Sequence, residues 1–316
     1  MRRALASSSR GLWLSVTLAL AAAIGILLFV IVQDRAHPPP PPSTAAAVAK
    51  PALWRIADDD TTIYFFGTIH ALQHDVAWRT PAIERAIDAS DELIMEIADS
   101  DRVDELSLFA AMASDHAPDK PIAARIDRKL SRAFDHVVEA AKLRRSQLDE
   151  MEDWAAALVI GNAVGARAGF DPARGVEPAL DARFRSVGKP VAGFETTAGQ
   201  LGIFDALPPA TQNAFLVKAI TGAEKDPAQA AALARAWETG DVATIDRLVS
   251  QDLRSVAGLA EPLLDQRNAR WADQLERRLV RPGTVFVAVG IAHLAGKQSV
   301  QARLAQRTGL AVERIE

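Results

Sequence analysis

The feature that most limits how this chain can fold is an uncharged apolar run from Leu12 to Val32. An α-helix needs about 20 such residues to cross the hydrocarbon core of a membrane. Arg2, Arg3 and Arg10 precede the run, and the positive-inside rule keeps such a basic end in the cytoplasm. The pattern therefore predicts a single-pass anchor in the inner (cytoplasmic) membrane, with the rest of the chain exported to the periplasmic side.

A proline-rich stretch follows the predicted anchor. Residues Pro38–Pro42 favour an extended polyproline conformation, which acts as a semi-rigid spacer. The apolar run is longer than the core of a signal peptide and favours an uncleaved anchor, while the alanines at 45–49 leave cleavage open. We therefore expect a cytoplasmic tip and anchor at 1–33, a Pro/Ala-rich linker at 34–50 and one folded domain at 51–316.

Composition excludes several classes of function. The formal net charge is −4 and the sequence pI is about 5.9, whereas a nucleic-acid-binding protein normally has a basic face. The chain contains no cysteine, which excludes disulfides, thiolate metal sites and a cysteine nucleophile. It also lacks the Gly-x-Ser-x-Gly motif of many serine hydrolases. A metal site in this chain would therefore use histidine, carboxylate and water.

Short apolar segments alternate with long helical regions, which predicts an α/β domain with a mixed central sheet. The predicted strands lie at 54–56 and 61–66 (a hairpin), 92–97, 189–194, 284–289 and 311–315 (an edge strand). Thr80 and Pro81 mark the start of a helix, so the flanking strands should form a βαβ unit with a parallel pair. The helical regions at 102–169 and 208–279 are large insertions, which we expect to form a cap.

A strand followed by Gly-x-x-His occurs twice, near opposite ends of the folded part. The first copy is Gly67–His70 and the second is Gly290–His293. Glycine lets the backbone leave a strand sharply or approach another group closely, and each histidine then follows the C-terminal end of its strand. Because ligands collect at that edge of an open α/β sheet, we expect both imidazoles on one rim.

Two further strands end in carboxylates that can join these histidines. Glu96 closes the segment ELIMEI, and Glu195 follows VAGF. Two imidazoles with one or two carboxylates suit a divalent transition metal such as Mn²⁺, Co²⁺ or Zn²⁺. We therefore predict that His70, His293, Glu96 and Glu195 bind one metal, which activates water while a glutamate acts as general base. The alternatives are structural histidines and glutamates that are solvated or paired with arginine.

Several sequence blocks, taken in order, resemble the TraB/GumN family of the TraB/PrgY/Tiki superfamily. They are the segment from Leu53 to Ile97, GVEPAL around Glu177, GKPVAGFET at Glu195, QRNARWA around Arg267 and the C-terminal VAVGIAHLAGKQSVQARLAQRTGLAVERI. The blocks cover nearly all of residues 51–316. The resemblance implies a fold distantly similar to erythromycin esterase and ChaN-like proteins, and a relationship to the Tiki proteins, which are similar to metal-dependent proteases.

The resemblance also implies roles for individual residues. It maps the family's Gly-x-x-His motifs and acidic positions onto Gly67, His70, Gly290, His293, Glu96 and Glu195. It adds Glu177, as a ligand or as the partner of a nearby cation; the plainer reading is a carboxylate favoured by the helix dipole. It also adds Arg267, which would stabilise an oxyanion or orient Glu195, or else form an ordinary salt bridge. Asn268 stands where some members have aspartate, which puts a carboxylate role there in doubt.

These observations predict a membrane-anchored, extracytoplasmic metal-dependent hydrolase. Among hydrolases they favour a peptidase, which acts on a peptide or protein. Catalytic roles are expected for Glu195, Glu96 and Arg267. The alternative is a non-catalytic envelope binding or scaffold protein, for example in polysaccharide export or surface assembly. The remaining conspicuous side chains are expected at the surface or in packing: His74, His116 and His136, and Trp154, Trp237 and Trp271.

Overall fold

The computed structural model describes residues 49–98, 105–116, 118–223 and 226–316, which form a six-stranded mixed sheet surrounded by helices. The strands are β1 (Leu53–Ala57), β2 (Thr61–Thr68), β3 (Glu92–Ile97), β4 (Val191–Glu195), β5 (Gly283–Gly290) and β6 (Glu313–Arg314). The helices are α1 (Pro81–Ala89), α2 (Glu105–Ser114), α3 (Ile122–Arg125), α4 (Ser131–Ala140), α5 (Arg145–Asp149), α6 (Asp153–Arg167), α7 (Val176–Ser186), α8 (Thr197–Asp205), α9 (Pro209–Gly222), α10 (Asp226–Glu238), α11 (Val242–Arg254), α12 (Gln266–Leu279) and α13 (Val300–Thr308). A 3₁₀ turn at Ile291–Leu294 follows β5, and a π turn at Glu261–Asp265 precedes α12.

The strand order is β4–β3–β5–β2–β1–β6. Strands β4, β3, β5 and β2 are mutually parallel, whereas β1 pairs antiparallel with both β2 and β6. The predicted mixed sheet, hairpin and C-terminal edge strand are confirmed. The predicted pairing within the βαβ unit is wrong in one respect. Strands β2 and β3 are parallel but not neighbours, because β5 from the far end of the chain lies between them.

Helix α1 begins where the sequence predicts. The hydroxyl of Thr80 accepts a hydrogen bond from the backbone amide of Ile83 at 3.3 Å. Pro81 occupies the first turn, where a missing amide proton is tolerated because that proton would have no partner in the helix. The helix buries Ile83, Ala86 and Ile87, which lie on one face at a spacing of three and four residues. This stripe covers the sheet and fixes the connection between β2 and β3.

Helices α7 and α12 cover opposite faces of the sheet. Phe184 of α7 packs against Phe286 of β5, with ring centroids 6.1 Å apart. Leu93 of β3 is the lateral partner of Phe286 and shares its face, so Glu92 points to the other face. There Arg278 of α12 donates a hydrogen bond to Glu92 at 2.6 Å. Helix α12 is thereby held across the face of β3.

Two helical insertions leave the sheet at the C-terminal ends of parallel strands, as predicted from the helical regions of the sequence. Helices α2–α7 follow β3 and helices α8–α12 follow β4, and the insertions contact each other where α6 packs along α9. Trp237 of α10 donates from Nε1 to the backbone carbonyl of Gly67 at 2.7 Å. This bond ties the second insertion to the first Gly-x-x-His turn.

The predicted membrane anchor at Leu12–Val32 lies outside the described residues. Within the described ranges, no helix combines the length and the apolar character needed to cross a membrane. The described fold begins inside the predicted linker. The backbone amides of Ala49 and Lys50 donate to the carbonyls of Ala77 and Glu238, at 3.1 and 2.7 Å.

Candidate active site

The four parallel strands end side by side, and each brings one predicted site residue to the same edge. Strand β2 leads to His70 and β5 leads to His293, while Glu96 lies near the end of β3 and Glu195 ends β4. The parallel register keeps these ends close to level. The predicted convergence of residues from distant parts of the chain is therefore confirmed.

A buried arginine lies at the centre of this edge. Arg267, in the first turn of α12, donates from Nη2 to Glu96 at 2.6 Å and from Nε to Glu195 at 2.9 Å. Its Nη1 donates to the carbonyl of Leu263 at 3.1 Å and lies 3.1 Å from Nε2 of His293. The Arg267 side chain is 0% exposed. One guanidinium thus holds two carboxylates and one imidazole in place.

Glu195 is directed towards α12. Its Oε2 accepts from Arg267, and its Oε1 accepts from Trp271 Nε1 at 3.1 Å and from the half-exposed Arg270 at 3.3 Å. Both carboxylate oxygens are therefore engaged by groups of one helix. Glu195 is thus paired with arginine, one of the alternatives given for it. The contact fits both alternatives given for Arg267, an ordinary salt bridge and a residue that orients Glu195.

The ring of His293 is held as one neutral tautomer. The side-chain amide of Asn268 donates to the carbonyl of Gln298 at 2.9 Å, so its Oδ1 faces Nδ1 of His293 at 2.5 Å and accepts the proton there. Nε2 then accepts from Arg267. Burial, together with the positive charge of Arg267, lowers the pKa of His293 to about 3 against the opposing charge of Glu96. The role of Asn268 is therefore to position the imidazole of His293. An amide oxygen can do this, so the position does not need the aspartate that some family members have.

Glu96 accepts hydrogen bonds from Arg267, from the side chain of Gln200 and from the backbone amide of Gly290. Its Oε1 accepts from the backbone amide of Gly290 at 2.8 Å, and its Oε2 accepts from Gln200 at 3.3 Å as well as from Arg267. Burial raises the pKa of Glu96, but Arg267, the two site histidines and the Gly290 amide outweigh burial and lower it to about 2. A carboxylate with this pKa is ionised at neutral pH and is a poor proton acceptor, so it suits an electrostatic or ligand role.

His70 has a carboxylate on one side of its ring and, on the other, a nitrogen that no described residue pairs with. Its Nδ1 lies 2.5 Å from Oε1 of Glu177, in the first turn of α7. Burial lowers the pKa of His70, but the charges of Glu177 and Glu96 outweigh it and the pKa is raised. Nε2 is buried and has no hydrogen-bond partner among the described residues. Glu177 therefore orients His70, and Nε2 is available to a ligand.

The two glycines of the repeated motif serve different purposes. A Cβ atom at Gly290 would lie 3.0 Å from Oε1 of Glu96 and 3.2 Å from Nε2 of His70. Any side chain at this position would therefore fill the space that these two atoms face. A Cβ atom at Gly67 would instead collide with the side chain of Ile291, so this glycine lets the two turns pack together.

The four residues predicted to share a metal do not form one compact ligand set. Three ligand atoms from histidines or carboxylates that lie within 4.8 Å of one another could hold a metal ion. Within the described ranges, the residues that meet this criterion are His116, Glu152 and Asp205, in the helical insertions. At the strand edge, Arg267 engages Glu195, His293 and the Oε2 atom of Glu96. The donor atoms that face a common space are His70 Nε2 and Glu96 Oε1. An imidazole and a carboxylate suit a divalent cation whose coordination is completed by water or substrate.

Two residues that contact the site were not predicted to do so from the sequence. Trp271, predicted only to pack, has its ring centroid 4.3 Å from that of His293 and 4.6 Å from the guanidinium carbon of Arg267. It lies four residues after Arg267 on one helix face, so helical spacing gives a signal once Arg267 is assigned. Gln200 of α8 carried no comparable signal. His74, His116 and His136 are exposed, as predicted.

The family assignment follows from the same residues. The model of the TraB/PrgY/gumN family matches residues 52–314, a range that includes both Gly-x-x-His motifs, Glu96, Glu195 and Arg267. The chain belongs to the TraB/PrgY/gumN family. Comparisons with curated proteins and with solved structures gave no match. For this TraB/PrgY/gumN protein, the geometry of the site is therefore the main indication of its activity.

Proposed function

We propose that this TraB/PrgY/gumN protein is a metal-dependent hydrolase whose reacting centre lies between His70 Nε2 and Glu96 Oε1. The observation that carries the proposal is the buried Nε2 of His70, which has no partner among the residues that the structure describes and faces the same space as an ionised carboxylate. Buried polar atoms in folded proteins nearly always have a partner, so an unpaired imidazole nitrogen supports a ligand at this position.

Each residue of the site has a role in this proposal. A divalent ion held by His70 and Glu96 would supply a Lewis acid and a bound water of lowered pKa. Glu177 accepts from the opposite side of the His70 ring and so directs Nε2 into the site, as carboxylates behind ligating histidines do. Arg267 fixes Glu96 and keeps it ionised. Gly290 leaves the space in which the reaction takes place.

The proposed roles differ from the predicted ones at three positions. Glu195 and Arg267 were expected to act in catalysis, and Glu195 also as a ligand. Both are assigned here as positioning residues, because they are hydrogen-bonded to each other and Arg267 is also bonded to Glu96. His293 is likewise assigned to the support of the site, since both its ring nitrogens face protein groups.

The proposed substrate is a peptide or protein, the class implied by the resemblance to the Tiki proteins.

The proposed location is the periplasmic side of the cytoplasmic membrane. This proposal is based on the apolar run at Leu12–Val32 and the arginines before it. Protease added to spheroplasts should then digest the domain and spare the N-terminal tip. Protection of the whole chain would contradict this location.

An envelope scaffold is the second candidate function, and one observation favours it. Arg267 neutralises Glu96 and Glu195 within the protein, as a purely structural ion-pair network does. In that case the helical insertions would serve as a partner surface, and the strand edge would carry no chemistry. The two candidates differ in whether the protein hydrolyses a substrate and whether it binds a metal beside His70.

The proposal predicts that hydrolysis depends on a metal and on Glu177. Full-length protein in detergent is stripped with a chelator, reconstituted with Mn²⁺, Co²⁺ or Zn²⁺ and assayed on a peptide library by mass spectrometry. Stripping should abolish hydrolysis, and one of the metals should restore it. Glu177→Gln should lower metal affinity and kcat/KM about 10–100-fold, the usual effect of losing a partner that orients a ligand.

A matched control is available outside the site. Glu238 lies 3.9 Å from the exposed His74, so Glu238→Gln removes a carboxylate from a second histidine–glutamate pair. This variant should keep the activity and metal affinity of the parent protein. If the protein hydrolysed peptide at an undiminished rate after the chelator had removed the metal, metal dependence would be contradicted. His70 would then be assigned as a general base paired with Glu177. Absence of hydrolysis with every metal would contradict the hydrolase and favour the scaffold.

A further inference from the structure

A groove lies between α12 and the part of the sheet formed by β3 and β4. Its volume is about 440 Å³. Ile94, Ala192 and Phe194 contribute the sheet side, and Gln274 and Arg277 contribute the helix side. The groove therefore combines an apolar base with a polar and basic wall.

The strand that borders the groove is exposed at its outer edge. Strand β4 ends the sheet, and no other strand in the described part of the chain pairs with its outer edge. Ala192 and Gly193 are exposed, and the single methyl group of Ala192 and the missing side chain of Gly193 leave the backbone accessible. From Val191 to Phe194 the strand has neither the proline nor the lysine that commonly protects a sheet edge. Such an edge can bind an extended peptide through backbone hydrogen bonds.

The charges along the groove are unbalanced. Arg278 donates to Glu92 at 2.6 Å and is buried, so its charge is neutralised within the protein. Arg277 and Arg281 also line the groove and are exposed, and no described carboxylate forms an ion pair with either. This end of the groove is therefore complementary to an acidic side chain.

The opposite end of the groove is close to the site. Phe194 lines the groove and stacks on Trp271 with centroids 5.1 Å apart, and Glu195 follows Phe194 directly. Arg277 lies ten residues after Arg267 on α12, which corresponds to about 15 Å along the helix axis. An extended peptide covers that distance in about four to five residues.

We infer that an extended acidic peptide binds in this groove, paired with the edge of β4 and with an acidic side chain at Arg277 and Arg281. The inference rests on the proposed hydrolase and narrows its substrates to peptides with a carboxylate about four to five residues from the bond that is cleaved. The groove thus supplies both the backbone contacts that hold a peptide and the charges that select it.

The test compares two charge-reversal variants of the full-length protein in detergent. Ten-residue fluorescein-labelled peptides carry either two adjacent aspartates or two asparagines, and binding is followed by fluorescence anisotropy. Arg277→Glu with Arg281→Glu should weaken binding of the aspartate peptide about tenfold or more, because like charges across an interface are costly. The matched control is Arg128→Glu with Arg132→Glu, two exposed arginines with the same spacing outside the groove. This control should bind as the parent protein does.

The outcomes separate the groove from the hydrolase. Equal weakening by both double variants would show general charge attraction and overturn the inference. Peptides with alternate N-methylated residues should lose binding, and unchanged binding would contradict pairing with β4. Selective acidic-peptide binding without hydrolysis would support the groove and contradict the hydrolase. Hydrolysis with equal kcat/KM for the aspartate and asparagine peptides would overturn the groove and leave the hydrolase standing.

Discussion

Replacing Arg267 with methionine is expected to lower the free energy of unfolding by about 3–5 kcal/mol, the cost of breaking a buried ion pair by removing one partner. Arg267 is 0% exposed and bonds to Glu96 and Glu195 at 2.6 and 2.9 Å. Methionine fills much of the volume but leaves the buried Glu96 and the partly buried Glu195 without their main cation. Urea unfolding of the variant and of the parent protein, under identical conditions, measures the difference.

A second arginine on the same helix provides the control. Arg270 also reaches Glu195, at 3.3 Å, but its side chain is 50% exposed. Arg270→Met is expected to cost less than about 1 kcal/mol, as exposed ion pairs do. Adding Glu96→Gln to Arg267→Met should recover part of the loss, because it removes one of the unpaired charges. Equal stabilities of the two methionine variants would contradict the central place of Arg267 in the site.

Replacing His70 with alanine is expected to lower kcat/KM more than about 100-fold, because even partners that only orient a ligand are worth 10–100-fold. The change removes the one site imidazole whose Nε2 has no partner in the described structure. Hydrolysis of the best library peptide by metal-loaded protein measures the effect. Circular dichroism and urea unfolding establish that the variant remains folded.

The neighbouring His74 tests whether this loss is specific. Its side chain is 63% exposed and lies four residues after His70, outside the site. His74→Ala should retain the metal affinity and kcat/KM of the parent protein. A folded His70→Ala protein with unchanged activity would contradict the proposed reacting centre.

Much of the fold could be predicted because its signals are local. Strand β3 has the predicted bounds, since an apolar run of strand length lies between Asp91 and the polar residues that follow it. Helix α1 begins at the predicted residue because Thr80 and Pro81 act within one turn. The place of β5 between β2 and β3 could not be predicted in this way. It depends on which side chains pack across the sheet between β5 and strands that lie 222 (Thr61 to Gly283) and 193 (Glu92 to Val285) residues earlier in the chain.

The candidate site was predictable in position but not in detail. Parallel strands end at one edge, so the meeting of His70, His293, Glu96 and Glu195 followed from the strand pattern. Which atoms are left for a ligand depends on where α12 crosses the face of β3, which is a tertiary feature. Arg267 of α12 engages Glu195, His293 and one carboxylate oxygen of Glu96. The space beside Gly290 is left to Nε2 of His70 and the other carboxylate oxygen of Glu96.

The most direct test of the proposed centre is anomalous diffraction from crystals of the protein soaked with Mn²⁺, Co²⁺ or Zn²⁺. A metal bound at the proposed centre should give an anomalous peak about 2.0–2.3 Å from both Nε2 of His70 and a carboxylate oxygen of Glu96. A fully occupied metal at His116, Glu152 and Asp205, with no peak beside His70, would contradict the proposed centre.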